Sequence, residues 1–193
     1  MLKFTIVIIA TLVFHKVNAL NEDERDQMKF TILQAKNRAF DQVQGIKALA
    51  TTENANFIAD VNEVVLKSLS DMEALRKEFD TQSASCDVKD DINNNAVKTV
   101  AHFQSCTEKV INYADADMNS LAFDGSLLVK EIDYPDKRTE ELSRQVEEYD
   151  ARSYQFAKYL QRLEKCKTQS NMTRLKRHIS EALASYKRCL QNK

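Results

Sequence analysis

The chain has 193 residues, of which 30% are charged and 43% hydrophobic, with a formal net charge of −1. Two glycines, one proline and no tryptophan leave little material for turns, which excludes a many-stranded β-sandwich and favours long helices. So few glycines also exclude a phosphate-cradling loop.

The first nineteen residues read as a signal peptide. A short n-region (Met1, Leu2, Lys3) precedes an apolar run from Phe4 to Phe14, and Val17 and Ala19 supply the small residues a signal peptidase requires. The apolar run is too short to span a bilayer, and no later stretch reaches eighteen apolar residues, so no transmembrane segment is expected. Cleavage after Ala19 would leave residues 20–193 as a single secreted domain.

Charge is unevenly distributed. Residues 20–150 hold 15 basic and 27 acidic side chains, whereas residues 151–193 hold 11 basic and 2 acidic ones. Either the basic C-terminal helices lie against acidic ones, or they form a face for an anionic partner, with Arg174, Lys176 and Arg177 as its candidate residues.

In chain order, Met28, Ile32, Leu33, Ala35, Ala39, Val43, Ile46 and Leu49 mark a first helix, with a break expected at Thr51–Asn54. Ile58, Val61, Val65, Ser68, Met72, Leu75 and Phe79 step by three and four as a heptad stripe. A helix–helix turn is expected at Asn93–Asn95, because asparagine side chains compete for local backbone bonds. Ala96, Val100, Phe103, Val110, Ala114, Met118 and Leu121 mark a third helix. A long connection from Phe123 to Pro135 follows. Leu142, Val146, Tyr149, Ser153, Phe156, Leu160 and Leu163 form a fourth stripe. Met172, Leu175, Ile179, Ala182, Tyr186 and Cys189 form a fifth. The expected fold is all-α: an up-and-down bundle of about five amphipathic helices, partly coiled-coil-like and cross-linked by disulfides.

Cys86, Cys106, Cys166 and Cys189 form an even set behind a signal peptide, which points to two disulfides; nothing has the close spacing of a zinc site. Cys86 and Cys106 are equidistant from residue 96, beside the expected turn, so Cys86–Cys106 is the preferred bridge, with Cys166–Cys189 by elimination. Cys189 lies about 25 Å up an ideal helix from the expected break, so either that break lies nearer residue 178, the midpoint of the second pair, or the pairing is Cys106–Cys166 with Cys86–Cys189.

His102 and Cys106 share a helix face, but an oxidised Cys106 supplies no thiolate. Asp91–Asn95 and Asp115–Asn119 open like calcium loops and then lack the glycine at position six and the glutamate at position twelve. No catalytic, cofactor or metal site is expected, and no nucleic-acid partner. Asn171-Met172-Thr173 is the single N-glycosylation sequon.

Across residues 80–190, the cysteines within Phe103-Gln104-Ser105-Cys106 and Ser185-Tyr186-Lys187-Arg188-Cys189 resemble those of small secreted fly proteins with the tsetse EP-type domain, although the chain has none of their Glu–Pro repeats. The resemblance implies an insect extracellular protein of gut or reproductive fluid, with no active site. The expected function is that of a non-enzymatic binding protein for an extracellular protein, glycan or lipid, with self-association possible. The alternative is an apolipoprotein-like carrier of lipids or small hydrophobic molecules.

Overall fold

The computed structural model of the chain describes residues 20–79, 84–134, 139–168 and 171–192. Among them lie five α-helices and no strand: α1 Glu22–Glu78, α2 Lys89–Asp133, α3 Thr139–Ser153, α4 Ala157–Thr168 and α5 Asn171–Gln191. The expected disulfide-linked helical bundle is present. Its five helices are arranged as three legs: α1 runs up, α2 down, and α3, α4 and α5 follow one another up a third path. At 1.5 Å per residue the 57-residue α1 is about 85 Å long, so the molecule is a rod.

Side-chain chemistry explains why α1 and α2 run unbroken through the breaks read from the sequence. Asn21 opens α1 with a capping box: its Oδ1 accepts from the Glu24 N–H at 2.8 Å, and its own N–H donates to the Glu24 carboxylate at 3.1 Å. At the expected break, the Thr51 and Thr52 hydroxyls donate to the Lys47 and Ala48 carbonyls one turn back, at 3.0 and 3.1 Å. At the expected turn, Asn95 likewise donates to the Asp91 carbonyl at 2.9 Å, within α2. These side chains compete with the helix only if they pull the backbone elsewhere, and here they bond back along it. Helix α2 also continues through Asp124-Gly125-Ser126 to Asp133.

The burial pattern shows how the legs meet. On α1, Ala35, Ile46, Phe57 and Ser68 are buried, as are Ala39, Ala50, Val61 and Met72; on α2, Thr99, Val110, Leu121 and Ile132 are buried. Each row steps by eleven residues. Eleven residues in three turns is 3.67 per turn, close to a straight helix, whereas seven in two turns demands a left-handed supercoil. The repeat is therefore an eleven-residue one, and the heptad reading of Ile58–Phe79 is corrected: Phe57 is buried, while Ile58 and Val65 are only partly so.

Register between α1 and α2 is constant. Lys29 pairs with Asp133, Lys47 with Asp115, Asn54 with Thr107, and Phe57 stacks on Phe103 with ring centroids 4.1 Å apart. The residue numbers of these pairs total 162, 162, 161 and 160. The same holds between α2, with the turn that leads into it, and the third leg, where Asp124–Arg152, Asp117–Lys158, Cys106–Cys166 and Cys86–Cys189 total 276, 275, 272 and 275.

The third leg loses its phase where α3 gives way to α4. The N–H groups of Tyr154, Gln155, Lys158 and Tyr159 bond three residues back rather than four. This tighter winding turns Tyr159 into the core at 2% exposure and leaves Leu160, expected in the stripe, 44% exposed. Arg38 of α1 braces the joint: its guanidinium donates to Asp150 at 2.8 Å and Ser153 at 2.6 Å, and lies 4.0 Å above the Tyr154 ring.

The disulfides are Cys86–Cys189 and Cys106–Cys166, each with Cα atoms 5.8 Å apart. This overturns the preferred Cys86–Cys106 and Cys166–Cys189 pairing. The α1–α2 connection lies between Glu78 and Lys89 rather than at Asn93–Asn95. Cys86 therefore sits at the foot of the helix that carries Cys106 about 25 Å up its length.

Candidate functional site

Residues 1–19, expected from the sequence to be a signal peptide, and Pro135 fall outside the described residues. Asn171 is the first residue of α5. All four cysteines are oxidised, and His102 is exposed on α2. The two calcium-loop openings are helical, so alternate residues are turned 200° from one another and their oxygens diverge. Asp115 bonds Lys47 and Asp117 bonds Lys158. Among the described residues no group of histidine, cysteine or acidic side chains is placed to hold a metal ion. None of the helices there is long and apolar enough to cross a membrane.

The groups with shifted acidity belong to the packing. Tyr159 donates to Asp117 at 2.5 Å and lies 3.2 Å from the Tyr113 carbonyl. Burial, then the hydrogen bond to Asp117, pushes the Tyr159 phenol up to about 12. Bonds from Lys158 and Tyr159 hold the Asp117 carboxyl below its usual range. Burial also raises Tyr149, whose hydroxyl has no hydrogen-bond partner.

The surface is more informative. Among the described residues twelve large apolar side chains are exposed, and ten of them lie in the half of the rod built from residues 22–49, 113–134 and 139–160. They include Phe30, Leu33 and Phe40 on α1 and Phe123, Leu127 and Tyr134 on α2. No exposed large apolar side chain lies on α5.

Helix α5 carries basic residues instead. Between residues 157 and 192 the third leg holds nine basic and two acidic side chains. Elsewhere, basic residues pair across legs: Lys29, Arg38, Lys47, Arg152 and Lys158 each meet an aspartate, and Lys167 of α4 reaches Glu53 at 3.0 Å. Among the described residues, none of Arg174, Lys176, Arg177, Lys187 and Arg188 makes an ion pair with another leg; Arg177 meets Glu181 on its own helix, at 3.8 Å.

Helical geometry divides the three residues proposed from the sequence. Lys176 lines a cleft of about 510 Å³ between α5 and α1, beside Asp60, Glu63 and Asp71. Ser68 and Ile179 close its floor. Arg174 and Arg177 are exposed on the side away from the core residues Leu175, Ile179 and Ala182. They are joined by Arg188, which the sequence reading missed. Its signal was its spacing: eleven residues after Arg177, it returns to the same face.

Comparison with known proteins returns no matching family model, no matching curated protein and no matching solved structure.

Proposed function

We propose that the protein is a secreted, non-enzymatic interaction protein, a disulfide-stapled rod that works through its exposed sides. One observation carries this reading: among the described residues the surface is partitioned along the rod, with exposed large apolar side chains gathered in one half and, on α5, basic side chains that make no ion pair with another leg. Both interhelical disulfides fit an oxidising compartment, and the shifted acidities belong to groups engaged in packing. Removal of the signal peptide near Leu20 and a glycan on Asn171 complete the picture, as does the resemblance to EP-type proteins of insect fluids. The test is a pull-down with the full mature chain from the fluid of the secreting tissue. A stoichiometric partner is expected; turnover of a substrate by the chain alone would overturn the reading.

A carrier of hydrophobic molecules is the second reading, and the placement of the disulfides is compatible with an opening bundle. Both bridges join the Cys86–Cys106 stretch to the third leg, and neither holds α1. Helix α1 could therefore swing away with the staples intact and uncover its buried row. Clearance of phospholipid vesicles that disappears when Lys47→Cys and Asp115→Cys lock α1 to α2 would support the carrier. Absence of clearance by the unlocked protein would eliminate it.

A further inference from the structure

We infer that the outer face of α5 is a binding site for a linear sulfated or carboxylated polysaccharide, with Arg174, Arg177 and Arg188 as its contacts. The inference rests on the reading of the protein as an interaction protein and names its partner class.

Positions 174, 177 and 188 differ in helical phase by no more than about 60° and span about 21 Å along the axis. They form one line of guanidinium groups on the side of α5 opposite Leu175, Ile179, Ala182 and Tyr186. Intramolecular pairing would be the ordinary use of such charge, and this chain pairs its other legs that way. Lys167 reaches Glu53 from the preceding helix, so the acidic α1 is within reach of this leg. The three arginines are nevertheless directed away from it. Among the described residues, the one ion pair these arginines make is Arg177–Glu181, at 3.8 Å and within α5.

The chemistry selects the partner. Guanidinium forks match sulfate and carboxylate oxygens two at a time. An anionic membrane would call for apolar side chains beside the charges to enter the acyl layer, and α5 exposes no large ones. A single-stranded nucleic acid would call for aromatic rings on which bases stack, and the tyrosine of α5, Tyr186, is buried at 6% exposure. A regular polyanion needs neither.

The test is binding of the full mature protein to immobilised heparin. The controls are an uncharged dextran and phosphatidylserine-containing vesicles. Retention on heparin should weaken steeply with salt, because the screening length falls from about 10 Å at 0.1 M to about 3 Å at 1 M. The triple variant R174E/R177E/R188E should raise the dissociation constant on the order of a hundredfold, through loss of three charge-assisted contacts. A matched variant, K36E/K98E/K130E, makes the same change in net charge at exposed lysines on α1 and α2 and should bind within about threefold of the parent. Helical circular dichroism checks that both fold.

Equal loss in the two variants would reduce the effect to overall charge and overturn the site, as would no heparin binding at low salt. Tighter binding to the vesicles than to heparin would assign the face to a membrane and overturn the polysaccharide. A partner recovered by the pull-down equally with R174E/R177E/R188E would sink this inference and leave the interaction reading standing.

Discussion

Gly125 of α2 lies against the hydroxyl end of Tyr149 of α3, so closely that a Cβ at Gly125 would stand 2.8 Å from Tyr149 Cζ and nearer still to its Oη. Glycine inside a helix costs about 1 kcal/mol relative to alanine, and here that cost admits a buried ring.

Gly125→Ala therefore sets helix propensity against overpacking. Overpacking costs about 1–3 kcal/mol, so the net expectation is destabilisation by about 1 kcal/mol. Gly45 supplies the control, since a Cβ there meets nothing within 4 Å. Gly45→Ala should stabilise by up to about 1 kcal/mol. Urea denaturation followed by circular dichroism reads both; two shifts of the same sign would contradict the packing described.

The disulfides give a second prediction. Non-reducing peptide mapping should recover Cys86 linked to Cys189 and Cys106 linked to Cys166. With separations of 103 and 60 residues, each bridge is worth about 4–5 kcal/mol by chain entropy when it acts alone. Once one is closed, the other adds less, because the loops are nested. Replacing both cysteines of one pair by alanine should lower the denaturation midpoint, and replacing both pairs should lower it by more than the sum of the two single-pair effects, since each single replacement leaves the other bridge closed.

That pairing was within reach of the sequence, and the reason it was missed is physical. The midpoint of Cys106–Cys166 is residue 136 and that of Cys86–Cys189 falls between residues 137 and 138. Both adjoin Pro135, the single proline in the chain. The equidistance argument was sound, but it was applied to the Asn93–Asn95 run. Asparagine favours turns only statistically, whereas proline lacks the N–H that a helix interior needs. The helical class and most buried positions were legible from periodicity. The α3–α4 joint was not, because Ser153, Phe156 and Leu160 fit an unbroken stripe, and the contacts made by the joint reach residues distant in sequence, Arg38 of α1 and Asp117 of α2. At the candidate site, Arg174 and Arg177 were legible as charge. Separating Lys176 from them required knowing which flank of α5 meets α1.

Arg38 yields a third prediction. Arg38→Ala should destabilise by about 2 kcal/mol, through loss of hydrogen bonds between charged and polar partners at the joint. Arg38→Lys should recover only part of this, because an ammonium lacks the flat guanidinium that covers the Tyr154 ring while its Nη1 bonds both Asp150 and Ser153. Full recovery by lysine would show that charge alone braces the joint.

The fourth prediction concerns alkaline pH. A phenol whose acidity is pushed up to about 12 in the fold holds its proton more tightly there than in the unfolded chain, where the ordinary value is 10. The stability it contributes is complete below about pH 10 and is lost as pH rises through 12. Tyr159→Phe should therefore be less stable than the parent at pH 8, with the deficit narrowing between pH 10 and 12. Denaturation at a series of pH values checks this; a deficit independent of pH would show that Tyr159 does not retain its proton in the fold.

The eleven-residue rows make the rod a ruler with fixed divisions. Eleven residues added at one height in α1, α2 and the third leg would insert three whole turns and lengthen the molecule by about 16 Å. Every ion pair beyond the insertion would still face its partner to within about 20°. Five residues added in the same places would swing everything beyond them by about 140° and turn the alanine and valine rows to water. Variation in length among proteins built on this plan is thus expected in steps of three turns, matched across all three legs.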